Sequence, residues 1–138
     1  MTNGFHHVAL NCRSFDRSVE FYSKTLGFKP AFAWGEAPKR AVLLETGGGS
    51  FLELFEHTEP APCKCDPPCQ CNPVVHFAFK CADVDAAIAA VRKAGMTVTM
   101  EPTDLPLAGG KAKGGQDVRI TFFKGPDGEL VEFFHAKE

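Results

Sequence analysis

Hydrophobic and polar residues alternate from Phe5 to Cys12, with Val8, Leu10 and Cys12 on one face and Phe5, His7, Ala9 and Asn11 on the other. That period of two predicts a strand. Ser14 or Asp16 then offers a cap for a helix in which Phe15, Val19, Tyr22 and Leu26 recur at helical spacing. Gly27 stands where a left-handed helix end is expected. Strands are expected at about residues 28–34, 40–46 and 50–57, the last two joined by the glycines 47–49.

The plan then repeats. Residues 73–81 alternate, with Val75, Phe77, Phe79 and Cys81 on one face and Val74, His76, Ala78 and Lys80 on the other. Asp83 fits the cap of a helix carrying Val84, Ala87, Ile88 and Val91, and Gly95 closes it. Strands follow at about residues 97–101, 117–123 and 129–135, the last two linked by the turn Gly125-Pro126-Asp127-Gly128. Each half thus reads β-α-β-β-β, a duplicated α+β module. Module 1 covers residues 1–58 and module 2 residues 74–138, with a Cys- and Pro-rich linker at 59–73. A glycine-rich stretch at 103–116 is expected to be a mobile loop.

Composition narrows the class. A chain of 138 residues that is 44% hydrophobic and 23% charged supports one compact domain with a core. Thirteen Phe against one Trp and one Tyr imply apolar aromatic surface in a core or a pocket. A net charge of -2 gives no electrostatic reason to expect nucleic acid or an anionic membrane as partner. No segment approaches the roughly 20 apolar residues that span a bilayer. The first residues carry no charged region followed by an apolar run, so cytoplasm is the expected location. Six cysteines then favour reduced thiols, metal binding or redox chemistry over a disulfide framework.

Candidate chemistry comes from the repeat. His7 and His76 occupy matching places on the first strands, facing away from the bulky apolar residues. Glu53 and Glu132 occupy matching places on the last strands, inside Phe51-Leu52-Glu53-Leu54-Phe55 and Leu130-Val131-Glu132-Phe133-Phe134. A carboxylate within such an apolar run is costly unless it is paired, hydrogen-bonded or bound to metal. A lone strand histidine is ordinarily structural, but two histidines and two glutamates at equivalent positions make a nitrogen and oxygen set suited to Zn, Ni, Co, Mn or Fe. Four protein donors leave an octahedral ion two positions for water or substrate oxygens. His6, next to His7, is taken as structural, and His57 and His135 near strand ends are expected to be exposed.

These residues also carry a family resemblance. Phe5-His6-His7-Val8-Ala9-Leu10, then Arg17-Ser18-Val19-Glu20-Phe21-Tyr22 and Leu26-Gly27-Phe28, resembles the opening of the vicinal oxygen chelate superfamily. That superfamily includes glyoxalase I, bleomycin-resistance proteins, fosfomycin-modifying transferases and extradiol dioxygenases. Val75-His76-Phe77-Ala78-Phe79 resembles the start of its second module, and Pro126-Asp127-Gly128-Glu129-Leu130-Val131-Glu132-Phe133 its closing hairpin. The resemblance implies two paired βαβββ modules in a curved mixed sheet around a metal-binding cleft, with the helices outside.

Within the superfamily a His, Glu, His, Glu set is similar to that of short bacterial glyoxalase I. It implies one divalent metal ion, with Ni, Co or Zn favoured, on His7, Glu53, His76 and Glu132. Glu132 matches the family's proposed base, and Glu53 is its pseudo-symmetric counterpart. The implied reaction is a lyase or isomerase-type proton transfer on a small oxygen-chelating substrate, such as a hemithioacetal. The implied assembly is a homodimer, each site drawing His7 and Glu53 from one chain and His76 and Glu132 from the other. Asn11, Phe51, Phe55, Arg119 and Phe134 are the substrate-binding candidates. Where bacterial glyoxalases hold glutathione carboxylates with Arg and Asn, this chain has Asn11 and His57, which removes a bidentate Arg contact. Arg13, Arg119, Lys111 and Lys113 are the candidates to compensate. The alternatives are a protein that sequesters a drug or toxic compound in a Phe-lined cleft, and an extradiol dioxygenase-like enzyme.

Cys63, Cys65, Cys69 and Cys71 of the linker form a second candidate site, for Zn or Cu, or for oxidation. Their spacing departs from the usual C-x₂-C pairs of structural zinc sites. Cys12 and Cys81, on the apolar strand faces, are expected to be buried packing residues.

Overall fold

The computed structural model describes residues 2, 4–57, 74, 76–107 and 116–137. Contacts divide the chain into two compact units, Met1–Pro73 and Val74–Glu138. Each has its own four-stranded mixed sheet, and the two repeat one order of elements.

The first unit runs β1 (His7–Cys12), α1 (Phe15–Glu20), a π-helical turn (Phe21–Thr25), β2 (Lys29–Trp34), β3 (Ala41–Gly47) and β4 (Ser50–Glu56). Its strand order is β1-β4-β3-β2, with β1 parallel to β4 and the other pairs antiparallel. One row across the sheet joins Leu10, Leu54 and Val42, and the next joins Val8, Leu52 and Leu44. Leu44, Leu52, Leu54, Cys12 and Tyr22 are fully buried. Burying a leucine side chain in this way is worth roughly 1.5–3 kcal/mol.

The helix keeps its expected extent but changes character. From Phe21 it widens, with Leu26 N–H donating to Phe21 O, and both Phe21 and Tyr22 lie in the core. Gly27, at φ +77°, then lets Phe28 N–H reach back to Tyr22 O at 3.0 Å, closing the helix as expected.

The second unit runs β5 (Phe77–Lys80), α2 (Val84–Lys93), β6 (Thr97–Leu107), β7 (Gln116–Lys124) and β8 (Leu130–Ala136). Its order is β5-β8-β7-β6, again with one parallel pair, β5 with β8. Asp83 caps α2, its side chain accepting from Ala86 N–H at 2.9 Å, and Val84, Ile88 and Val91 are buried.

One expectation needs correcting. Residues 103–107 are not a loop: Thr103 pairs with Ile120, Asp104 with Arg119 and Leu105 with Val118. Pro102 and Pro106 disguised this stretch. They are tolerated because β6 is an edge strand whose register shifts between Met100 and Thr103.

Candidate metal centre

In the first unit the parallel pairing sets His7 beside Phe51, Ala9 beside Glu53 and Asn11 beside Phe55. These residues share one sheet face, opposite the leucine rows. Glu53 is 9% exposed, and its Oε2 lies 3.3 Å from His7 Nε2. In the second unit Glu132 stands between Ala78 of β5 and Phe122 of β7. Its Oε2 lies 3.0 Å from Nε2 of His76, the residue before β5. The His76 ring meets Phe122 edge-on, with centroids 5.1 Å apart.

Each unit therefore joins one imidazole to one buried carboxylate on the sheet face away from its helix. Burial alone would make either carboxylate costly, and the histidine partner offsets that cost. Imidazole nitrogen and carboxylate oxygen are donors for Zn, Ni, Co, Mn and Fe, so the residues present fit a divalent ion. Among the described residues no group of three or more His, Cys, Asp or Glu side chains is gathered for a metal. Each unit presents one imidazole nitrogen and one carboxylate side by side.

Asn11, Phe51 and Phe55 share the face of Glu53, and Phe134, two residues beyond Glu132 on β8, shares that of Glu132. Arg119 does not. It pairs with His135 in the ladder, on the helix side of the sheet. Its Nε and Nη2 donate to Asp85 of α2 at 2.8 and 2.7 Å, and its Nη1 to Asp104 at 3.1 Å. The first unit repeats the device: Arg40 donates to Glu56 at 2.9 and 2.8 Å and to Asp16 of α1 at 2.9 Å, with its guanidinium over the Phe15 ring. These bonds hold the Glu56 and Asp85 carboxyls below their ordinary values, and those from Lys137 and Arg119 do the same for Asp104.

Two histidines differ from expectation. His57 continues the β4 register, its N–H donating to Cys12 O at 3.1 Å. It is partly buried, and its Nε2 is sealed from solvent with no hydrogen-bond partner among the described residues. His135 is partly buried too, with Nδ1 3.0 Å from Cys81 O. Cys12 is buried as expected, whereas Cys81 is half-buried beyond the end of β5, with Sγ donating to Asp83 O. Burial still pushes its thiol above the usual value. Cys63, Cys65, Cys69 and Cys71, with Lys111 and Lys113, lie outside the described residues.

The structure also adds residues to this face. Trp34, the chain's one tryptophan, meets Phe55 edge-on at 6.3 Å, and Phe32 lies in the row of Leu43 and Glu53. They are 44% and 68% exposed. Their alternation on β2 was a readable signal. His6 is the other addition: its ring stacks on Phe51 at 5.0 Å, and its Nδ1 lies 2.8 Å from His7 Nδ1.

The fold agrees with what comparison finds. Residues 4–133 match the Glyoxalase/Bleomycin resistance protein/Dioxygenase superfamily, and the chain belongs to that superfamily. A 2-epi-5-epi-valiolone epimerase of Actinomyces is 32% identical over 124 residues, spanning 75% of this chain and 68% of that protein. A lactoylglutathione lyase of Haemophilus influenzae is 28% identical over 144 residues, spanning 95% and 91%. A glyoxylase/bleomycin resistance protein/dioxygenase domain from Frankia superposes with a TM-score of 0.75, covering 99% of this chain and all of that one. At 21% identity it speaks for the fold alone.

Proposed function

We propose that His7, Glu53, His76 and Glu132 hold one divalent metal ion, and that the protein is a glyoxalase I-like enzyme moving a proton between adjacent carbons of a small oxygen-chelating substrate. The observation that carries this reading is the repeated contact, at 3.3 and 3.0 Å, of an imidazole Nε2 with a buried carboxylate in each unit. Relatives named as a lactoylglutathione lyase and an epimerase support the reaction class. The assembly proposed is a homodimer in which the His7–Glu53 pair of one chain meets the His76–Glu132 pair of the other.

The ion would supply positive charge beside substrate oxygens, where negative charge develops during proton removal. The rest falls to the chain. Glu132 takes the proton from one carbon and returns it to the next, and the walls of Phe122, Phe134 and Leu130 limit its hydration. His76, packed against Phe122, keeps Nε2 directed at that carboxylate. On the other face Phe51, Phe55 and Asn11 receive the rest of the substrate. Arg119 has no part in this proposal, because its donors are engaged on the helix side. Glutathione is not assumed, since Asn11 and His57 provide no guanidinium fork.

The test is elemental analysis of purified protein, wild type against His7→Ala and Glu132→Ala, with turnover assays on α-hydroxycarbonyl compounds and thiol adducts. One metal per proposed site, lost in both variants, supports the reading. Unchanged metal content in both overturns it. A second reading, sequestration of an aromatic compound, is favoured by the exposed Phe32 and Trp34 beside Phe55. Saturable binding without turnover, unaffected by a chelator, would select it.

A further inference from the structure

His6 stands apart from the internal symmetry. The residue before His76 is Val75, which has no ring nitrogen, so only the first of the two candidate ligand histidines follows another histidine. The Nδ1 atoms of His6 and His7 lie 2.8 Å apart. A neutral imidazole carries its proton on one nitrogen and a lone pair on the other, so a hydrogen bond between these facing atoms requires opposite tautomers, one Nδ1 donating and the other accepting. The His6 ring is held for this contact by stacking on Phe51, itself beside His7 in the ladder.

We infer that His6 is a positioning residue: when a divalent ion takes Nε2 of His7, His6 accepts the His7 Nδ1 proton and so holds the tautomer that leaves Nε2 to the ion. The inference rests on His7 being a ligand, as proposed above. A ligating histidine ordinarily gives its other N–H to an outer partner, which sets both tautomer and ring orientation. The protons balance. Without metal, His7 Nε2–H faces Glu53 Oε2 at 3.3 Å, and His7 Nδ1 accepts from His6 Nδ1–H. With a metal on Nε2, the His7 proton sits on Nδ1 and is donated to His6, whose own proton sits on its Nε2. His6 is exposed, so water can exchange these protons. The pair holds two ring protons in either arrangement, and metal binding reverses the hydrogen bond without releasing a proton from it.

Two variants separate stacking from hydrogen bonding. His6→Phe keeps a ring on Phe51 but has no acceptor, whereas His6→Asn loses the ring and keeps an acceptor oxygen near the Nδ1 position. Zinc affinity is expected to fall about 10–100-fold in His6→Phe and to recover to within about threefold in His6→Asn. Long-range nitrogen–proton correlation spectra of the zinc-loaded wild type should show the His7 proton on Nδ1. Wild-type zinc affinity in His6→Phe, or zinc on Nδ1 of His7, overturns the inference and leaves the four-ligand site standing. A wild-type protein that takes up no zinc removes both. If His6→Phe unfolds, as circular dichroism would reveal, His6→Ala replaces it with the same expected loss.

Discussion

Arg119 Nη2 donates to Asp85 Oδ1 at 2.7 Å, tying β7 to the first turn of α2 on the side of the sheet away from Glu132. Asp16 and Asp85 are separated by as many residues as His7 and His76, and Arg40 and Arg119 by as many as Glu53 and Glu132. The two units thus share a helix-to-sheet clasp as well as the His–Glu contact. Arg119→Gln should lower the melting temperature while leaving KM and kcat within about twofold of wild type. A large rise in KM, measured by initial rates, would place Arg119 in substrate binding after all.

Glu132 is assigned two tasks, and a conservative change separates them. Glu132→Gln keeps an oxygen donor but removes the base. Metal content should persist at weaker affinity, while turnover falls by about 10²–10⁴. Glu53→Gln should weaken metal binding with a smaller loss in turnover. Equal losses in both variants, compared at saturating metal, would contradict the unequal roles.

A shared site predicts complementation. A chain with His7→Ala and Glu53→Ala, and another with His76→Ala and Glu132→Ala, should each lack metal alone. Their mixed dimer would regain one intact site of two. Metal analysis of co-expressed, doubly tagged protein decides this, and no recovery would mean that the four donors do not combine across chains.

Acid should loosen the clasps. Hydrogen bonds from Arg40 and Arg119 hold the Glu56 and Asp85 carboxyls below their unfolded values. Their contribution is therefore complete above the unfolded value, near 4, and is lost as pH falls through the lower folded values. Denaturation midpoints should stay level from neutral pH down to about 4 and then decline. Arg40→Gln should shrink that decline. An unchanged acid limb in the variant would show that the clasp is not its source.

The four linker cysteines give a further outcome. If Cys63, Cys65, Cys69 and Cys71 bind zinc, replacing all four by Ser should remove one zinc equivalent and leave the metal that depends on His7 and Glu132. Identical zinc stoichiometry before and after would eliminate the second site.

Much of this was readable in the chain itself. The two-residue period around His7 and Glu53, and the repeat of that pattern around His76 and Glu132, identified the strands and the side chains sharing a face. Asp83 and Gly27 marked helix ends, because capping and positive φ depend on local residue type. Strand 103–107 was hidden because Pro102 and Pro106 suppress the local strand signal, and pairing with β7 overrides it. Arg119 was misleading for a related reason: a basic residue on a strand can serve either face.

Sequence alone determined most of the elements, the duplication and the identity of the four candidate donors, since these follow from periodicity and from the cost of placing carboxylates in apolar runs. Tertiary structure decided which partners those donors meet: His7 with Glu53, His76 with Glu132, His6 with His7, and Arg119 with Asp85. All but the last-but-one of these depend on register between segments far apart in the chain, and the His6–His7 contact depends on ring orientations set by Phe51 across the sheet, so no local pattern of residues encodes them.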